Sequence, residues 1–91
     1  MTERPYRVEF AGTARRGMNQ LPEKAAAAAV EFCFGPLATN PRRVGKPLTR
    51  ELAGQHVARR GEYRVIYSVD DTGGVVHVLR VEHRRDIYRS R

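Results

Sequence analysis

Ninety-one residues fit a single domain, and a chain this short buries only ~60–65% of the surface it exposes when unfolded, so its core is thin. A composition of 41% hydrophobic and 30% charged residues belongs to a globular chain and excludes a disordered one. Seventeen Lys and Arg against ten Asp and Glu give a net charge of +7, and all of those cations except Lys24 and Lys46 are Arg. Arg presents a planar fork that fits phosphate, so the composition points to a polyanionic partner; the plain alternative is a solvated basic surface.

In chain order, Tyr6-Arg7-Val8-Glu9-Phe10 alternates apolar and polar residues, the period of a half-buried strand. Gly12-Thr13 offers a helix N-cap, and Ala14, Met18 and Leu21 follow at the spacing of a short amphipathic helix. Pro22 starts a second helix with Glu23 in its first turn. That helix is expected to run to Phe34, with Ala26, Val30, Cys33 and Leu37 as its apolar stripe and Gly35-Pro36 as its stop. Cys33, the only cysteine, reads as a small buried hydrophobe, which excludes an intrachain disulfide and a cysteine-built metal site. The segment from Leu48 to Gly54 is a polar loop anchored by its two leucines.

Gln55–Arg60 reads as the next strand, and Gly61-Glu62 turns the chain into the clearest one, Tyr63–Val69. There Tyr63, Val65, Tyr67 and Val69 share one face while Arg64 and Ile66 lie on the other. Asp70 to Gly74 is a hairpin loop whose carboxylates are expected to be solvated, and Val75–Glu82 is the last strand. The order β-α-α-β-β-β implies an α+β fold over residues 1–91. Its three-stranded antiparallel meander is joined by the first strand in one sheet, with both helices on one face and the other face shallow and basic. No apolar run approaches the ~18 residues of a membrane span, and the N-terminus lacks the apolar core of a signal peptide; no membrane contact and a cytoplasmic location are expected.

The chemistry-bearing residues lie in the second half. Arg59, Arg60 and Arg64 surround one turn, and His83-Arg84-Arg85-Asp86-Ile87-Tyr88-Arg89 follows the last strand. Together with Lys46-Pro47-Leu48 and Leu52-Ala53-Gly54, these stretches resemble the RelE/ParE superfamily of toxins from type II toxin–antitoxin systems, and within it the RelE branch. The resemblance spans nearly the whole chain. Its specific part is Gly61 to Tyr67 joined to the His-Arg-Arg tail that ends in Tyr88-Arg89.

That resemblance implies an endoribonuclease that enters the ribosomal 30S A site and cuts messenger RNA, the RNA 2′-hydroxyl attacking its own 3′ phosphate. It implies a RelB-like antitoxin as partner, operator DNA bound only through the antitoxin complex, and no cofactor or metal. Carried onto this chain, Arg64 matches the phosphate-stabilising arginine, whose plain alternative is a surface arginine paired with Glu82 or Asp86. Arg84 matches a second charge-stabilising arginine, because an Arg is a poor proton donor. Tyr88 matches a tyrosine that stacks on a base or moves a proton. His83 replaces a Lys of some members and is the readiest acid–base group in the chain. Lys46, His56, Arg59, Arg60, Arg85 and Arg89 are the expected RNA-binding residues; His77, between valines, is expected to be structural. Some relatives carry alternating lysines where this chain has Gln55-His56-Val57-Ala58, so the general base stays open. So do two other readings: a ParE-like poison of DNA gyrase, and an inactive module that acts only with its antitoxin on operator DNA.

Overall fold

The computed structural model describes residues 5–84. The alternating second half becomes the antiparallel meander expected of it: β3 (Gln55–Arg60), β4 (Tyr63–Asp70) and β5 (Val75–His83). The first strand, β1 (Arg7–Phe10), adds to β5 in parallel. A two-residue strand that the sequence did not reveal, β2 (Lys46–Pro47), closes the other edge on β3. The sheet order is therefore β1-β5-β4-β3-β2.

Helices α1 (Gly12–Gln20) and α2 (Glu23–Phe32) bury Ala14, Ala25, Ala29 and Phe32, with Leu21 between the helices, against one face of this sheet, over Val65, Tyr67, Val76, Val78 and Val81. Of the expected stripe of α2, Cys33 and Leu37 are buried and Ala26 packs on the core, but Val30 does not. Ala25, Ala29 and Phe32 face inward, while Val30 is 40% exposed and Phe34 is 59% exposed beside the Phe10 ring. A run of five alanines carries no phase information, which is why its pattern misleads. Nor does Gly35-Pro36 stop the helix: the chain passes through it in a π-turn, Cys33–Leu37, that buries Cys33 and Leu37. A proline ring crowds the carbonyl four residues back, and a widened turn relieves that clash. Burial pushes the Cys33 thiol up to about 12, consistent with an inert core residue. In the loop before β3, Leu48 is half-buried but Leu52 is exposed, so one leucine anchors the segment and not two.

A β-bulge sets the phase of β5. Tyr67 pairs with Val78 and Ile66 with Arg80, so Leu79 is left over. Its carbonyl accepts a 2.6 Å hydrogen bond from the hydroxyl of Thr13, which does not cap α1 as expected; the residue at that cap is Ala11, and no side chain bonds there. Before the bulge, Val76 and Val78 face the helices; after it, Val81 does. Arg80 and Glu82 are thereby turned to the opposite face.

The backbone of α1 meets β5 directly at this point. Gly17 lies so close to Val81 that a Cβ would collide with the Val81 carbonyl oxygen. Backbone on both sides leaves nothing flexible to yield. Gly17→Ala should therefore destabilise the fold by ~1–3 kcal/mol, the usual cost of overpacking. Gly12→Ala, whose added methyl would meet only the tip of Arg16 at 3.6 Å, should be near neutral. Urea midpoints of the two variants check this; equal midpoints would contradict it.

Candidate nucleic-acid interface

Across the helix-free face of the sheet, two rows of paired residues run side by side. One row is Arg59 on β3, Arg64 on β4 and Glu82 on β5. The other is Lys46, Val57, Ile66 and Arg80. Paired residues on strands about 4.8 Å apart point to the same side. The face thus gathers four cations, Lys46, Arg59, Arg64 and Arg80, around a small apolar centre.

Among the described residues, the carboxylate paired with these cations is Glu82. Arg64 donates through Nε to Glu82 Oε1 at 2.8 Å, and Arg80 donates through Nη2 to Glu82 Oε2 at 2.5 Å. The Arg64 and Glu82 side chains are 24% and 19% exposed, whereas Arg80 is largely in solvent. The pairing with Glu82 that a surface-arginine reading of Arg64 foresees is present. It uses the Nε of the guanidinium, and among the described residues neither Nη nitrogen is bonded.

At the β2 edge, a recess of about 300 Å³ is lined by Arg43, Lys46, Arg59 and Arg60 over Val44 and Val57. Arg43 was not foreseen as a site residue, although its place three residues before Lys46 in a basic loop was the available signal. Its neighbour Arg42 points elsewhere: with the Tyr6 hydroxyl it holds Asp71, whose carboxyl is kept below its usual range first by the Tyr6 bond and then by Arg42. The hairpin carboxylates are thus not simply solvated, as the sequence suggested, since Asp70 also accepts from the Gly73 amide.

Other expected site residues lie apart from the Arg64–Glu82 pair, Arg60 reaching only the rim of the recess. Arg60 follows Arg59 and so projects to the helix side, its guanidinium 4.9 Å from the Phe32 ring centroid and donating to the Val44 carbonyl. His56 pairs with Tyr67 and stacks on its ring at 5.4 Å; burial, then the charge of Arg42, lowers its pKa. His83 pairs with Tyr63, again on the helix side, with its side chain 13% exposed and Nε2 3.5 Å from Glu62. Arg84 is exposed just beyond β5, its backbone N–H donating to the Glu62 carbonyl. Arg85, Tyr88 and Arg89 lie outside the described residues. His77, read as structural, is on the open face near Glu9, with Nδ1 3.7 Å from its carboxylate. Among the described residues no three His, Cys, Asp or Glu side chains gather as a metal site, and no helix is long and apolar enough to cross a membrane.

Fixed cations on a shallow face suit a phosphodiester backbone, because charge-assisted bonds from Arg both orient the phosphate and stabilise added negative charge. The split between neighbouring arginines gives a direct check. Arg59→Ala should weaken binding of a single-stranded RNA oligonucleotide and lower the salt slope by ~0.7 at unchanged stability. Arg60→Ala, which removes a cation at the rim of the recess that is tied to Phe32 and Val44, should lower the slope less than Arg59→Ala and cost ~1 kcal/mol of stability through the lost cation–π contact and hydrogen bond. Fluorescence titration over a salt series and urea unfolding separate the two; the reverse assignment would overturn the placement.

Comparison with known proteins places this architecture. The family model described as the ParE toxin of the type II toxin–antitoxin system parDE matches residues 8–88. Toxin RelG of Mycobacterium tuberculosis is 58% identical over 85 residues, covering 93% of this chain and 98% of the relative. Toxin RelE of the same organism is 51% identical over 87 residues, covering 96% and 90%. The crystal structure of the RelBE2 toxin–antitoxin complex from M. tuberculosis superposes with a TM-score of 0.86 at 56% identity, over 88% of this chain and 99% of that one. This chain belongs to the ParE toxin family of type II toxin–antitoxin systems, and within that family it stands in the RelE branch.

Proposed function

We propose that this toxin is a ribosome-dependent endoribonuclease that cuts messenger RNA in the 30S A site without a metal ion and so stops translation. The observation that carries the reading is the cluster of Lys46, Arg59, Arg64 and Arg80 on the open sheet face, with Arg64 oriented by Glu82. In this reaction the 2′-oxygen bonds to the adjacent phosphorus, the bond from phosphorus to the 5′ oxygen breaks, and a cyclic phosphate forms. A base takes the 2′-hydroxyl proton and an acid returns one to the 5′ oxygen. Arg64 and Arg84 stabilise charge on the phosphate oxygens, a task for cations that do not deprotonate. Since His83 lies across the sheet from Arg64, the proton-carrying role in this reading falls to Tyr88. Lys46, Arg59, Arg85 and Arg89 hold the backbone.

A RelB-like antitoxin completes the proposal. The similar M. tuberculosis structure is a complex of toxin with antitoxin. A net charge of +7 favours an acidic partner that associates fast and covers the basic face. Operator DNA would then be met only through that complex.

The test uses purified toxin on programmed ribosomes. Wild-type protein should leave a cyclic or 3′ phosphate at the cut. Arg64→Ala should lose ~10²–10³ in rate, as removal of a preorganised charge-stabilising donor does, while still folding and binding the antitoxin. A single 2′-deoxy substitution at the cut site should abolish cleavage; if that substrate is still cut, the 2′-hydroxyl is not the nucleophile. Broken DNA with intact messenger in induced cells would replace this reading by gyrase poisoning. No damage to either would leave the inactive module.

A further inference from the structure

The geometry points to Glu82 as the positioning residue that holds Arg64 ready for the scissile phosphate; this rests on the nuclease reading above.

Three observations converge. First, the bulge at Leu79 puts Glu82 on the open face at all; in unbroken alternation it would face the helices with Val76 and Val78. Second, Glu82 is paired with Arg64 across β4 and β5, both side chains are more than three-quarters covered, and the 2.8 Å bond goes to Nε. A guanidinium held there cannot turn about its own stem, and its two Nη nitrogens project together as a fork, the arrangement that grips two phosphate oxygens at once. Third, the other carboxylate oxygen is held by Arg80. Glu82 is thus braced on its far side, and its negative charge is shared between two cations, so a phosphate arriving at Arg64 meets a site that is still positive. An exposed arginine has several rotatable bonds to fix before it acts; one already fixed loses less freedom on engaging the phosphate. Glu82 touches neither substrate nor reacting atoms in this scheme and acts through Arg64 alone.

The consequence is a split between binding and chemistry. Removing the carboxylate makes the face more positive, so RNA and ribosome binding should hold or tighten, while the chemical step slows. Single-turnover cleavage on programmed ribosomes over a range of toxin concentrations should show Glu82→Ala slower by about tenfold or more at saturation, with the half-saturating concentration unchanged or lower. Glu82→Gln keeps an oxygen to accept from Nε and a matched shape, so it should fold normally and retain a rate within about threefold of wild type, a rescue expected of the hydrogen bond. Arg64→Lys lacks the fork, so in the Glu82→Ala background it should cost much less than it does alone, the non-additivity of coupled residues.

Antitoxin binding and urea midpoints confirm that each variant is folded. If Glu82→Ala cuts at the wild-type rate while Arg64→Ala does not cut, Arg64 needs no positioning and the inference is wrong. The same follows if Glu82→Gln loses as much rate as Arg64→Ala. Should Arg64→Ala itself cut normally, the nuclease assignment of this face fails first, and the role of Glu82 falls with it.

Discussion

One bond between a helix and a sheet decides which side chains meet on the open face. Thr13 gives its hydroxyl to the Leu79 carbonyl, and so satisfies the backbone group that the β-bulge strands. Beyond the bulge, the phase of β5 is reversed. Val81 goes down against Gly17 of α1, and Glu82 comes up beside Arg64. The same two-residue step therefore seals the core and assembles the cationic site. A glycine at the helix contact allows the backbones to touch, which holds that end of β5 in place without large side chains.

This arrangement separates two tasks by face. The helix side carries the burial that keeps a thin core together: Tyr67, Leu37, Val65, Val76, Val78 and Cys33 are fully covered, and the Tyr67 hydroxyl donates to the Pro41 carbonyl. Burial pushes that phenol up to about 12. The open side carries its charge around a covered centre of Ile66, Arg64 and Glu82, while Lys46, Arg59 and Arg80 at its margin are exposed, and there substitutions are cheap for stability. A small domain with a limited core benefits from such a division, because a strained or charged site built into the core would draw on a stability that is already marginal.

The strands and their faces were legible in the residues, because period-two alternation is strong in Tyr63–Val69 and turn residues bound it on both sides. The cations were legible as a class from the Arg content, and Arg64 as a face partner of Ile66 from parity alone. What was lost follows from signals that alternation does not contain. Two residues, Lys46-Pro47, are too few to show a strand. The alanine run could not give the rotation of α2, and Pro36 signals a stop in an α-helix but not in a π-turn. A bulge inserts one residue and leaves no mark on composition, so the partnership of Glu82 with both Arg64 and Arg80 was visible only as an alternative for one of them. Arg59 and Arg60, adjacent and alike, were read as equivalent. Strand geometry sends one to the open face and one to Phe32, and the same parity takes His83 away from Arg64.

The ParE and RelE branches share one scaffold, so the sheet itself does not choose between DNA gyrase and messenger RNA as target. The choice rests with the side chains on the open face and in the tail that follows it. A cryo-electron-microscopy structure of this toxin on a ribosome programmed with messenger carrying a 2′-deoxy nucleotide at the cut site tests that most directly. The account predicts an A-site phosphate within about 3 Å of the Arg64 Nη nitrogens, with α1 and α2 turned away from the RNA. RNA lying against the helices, with the Arg64 face directed to solvent, would contradict it.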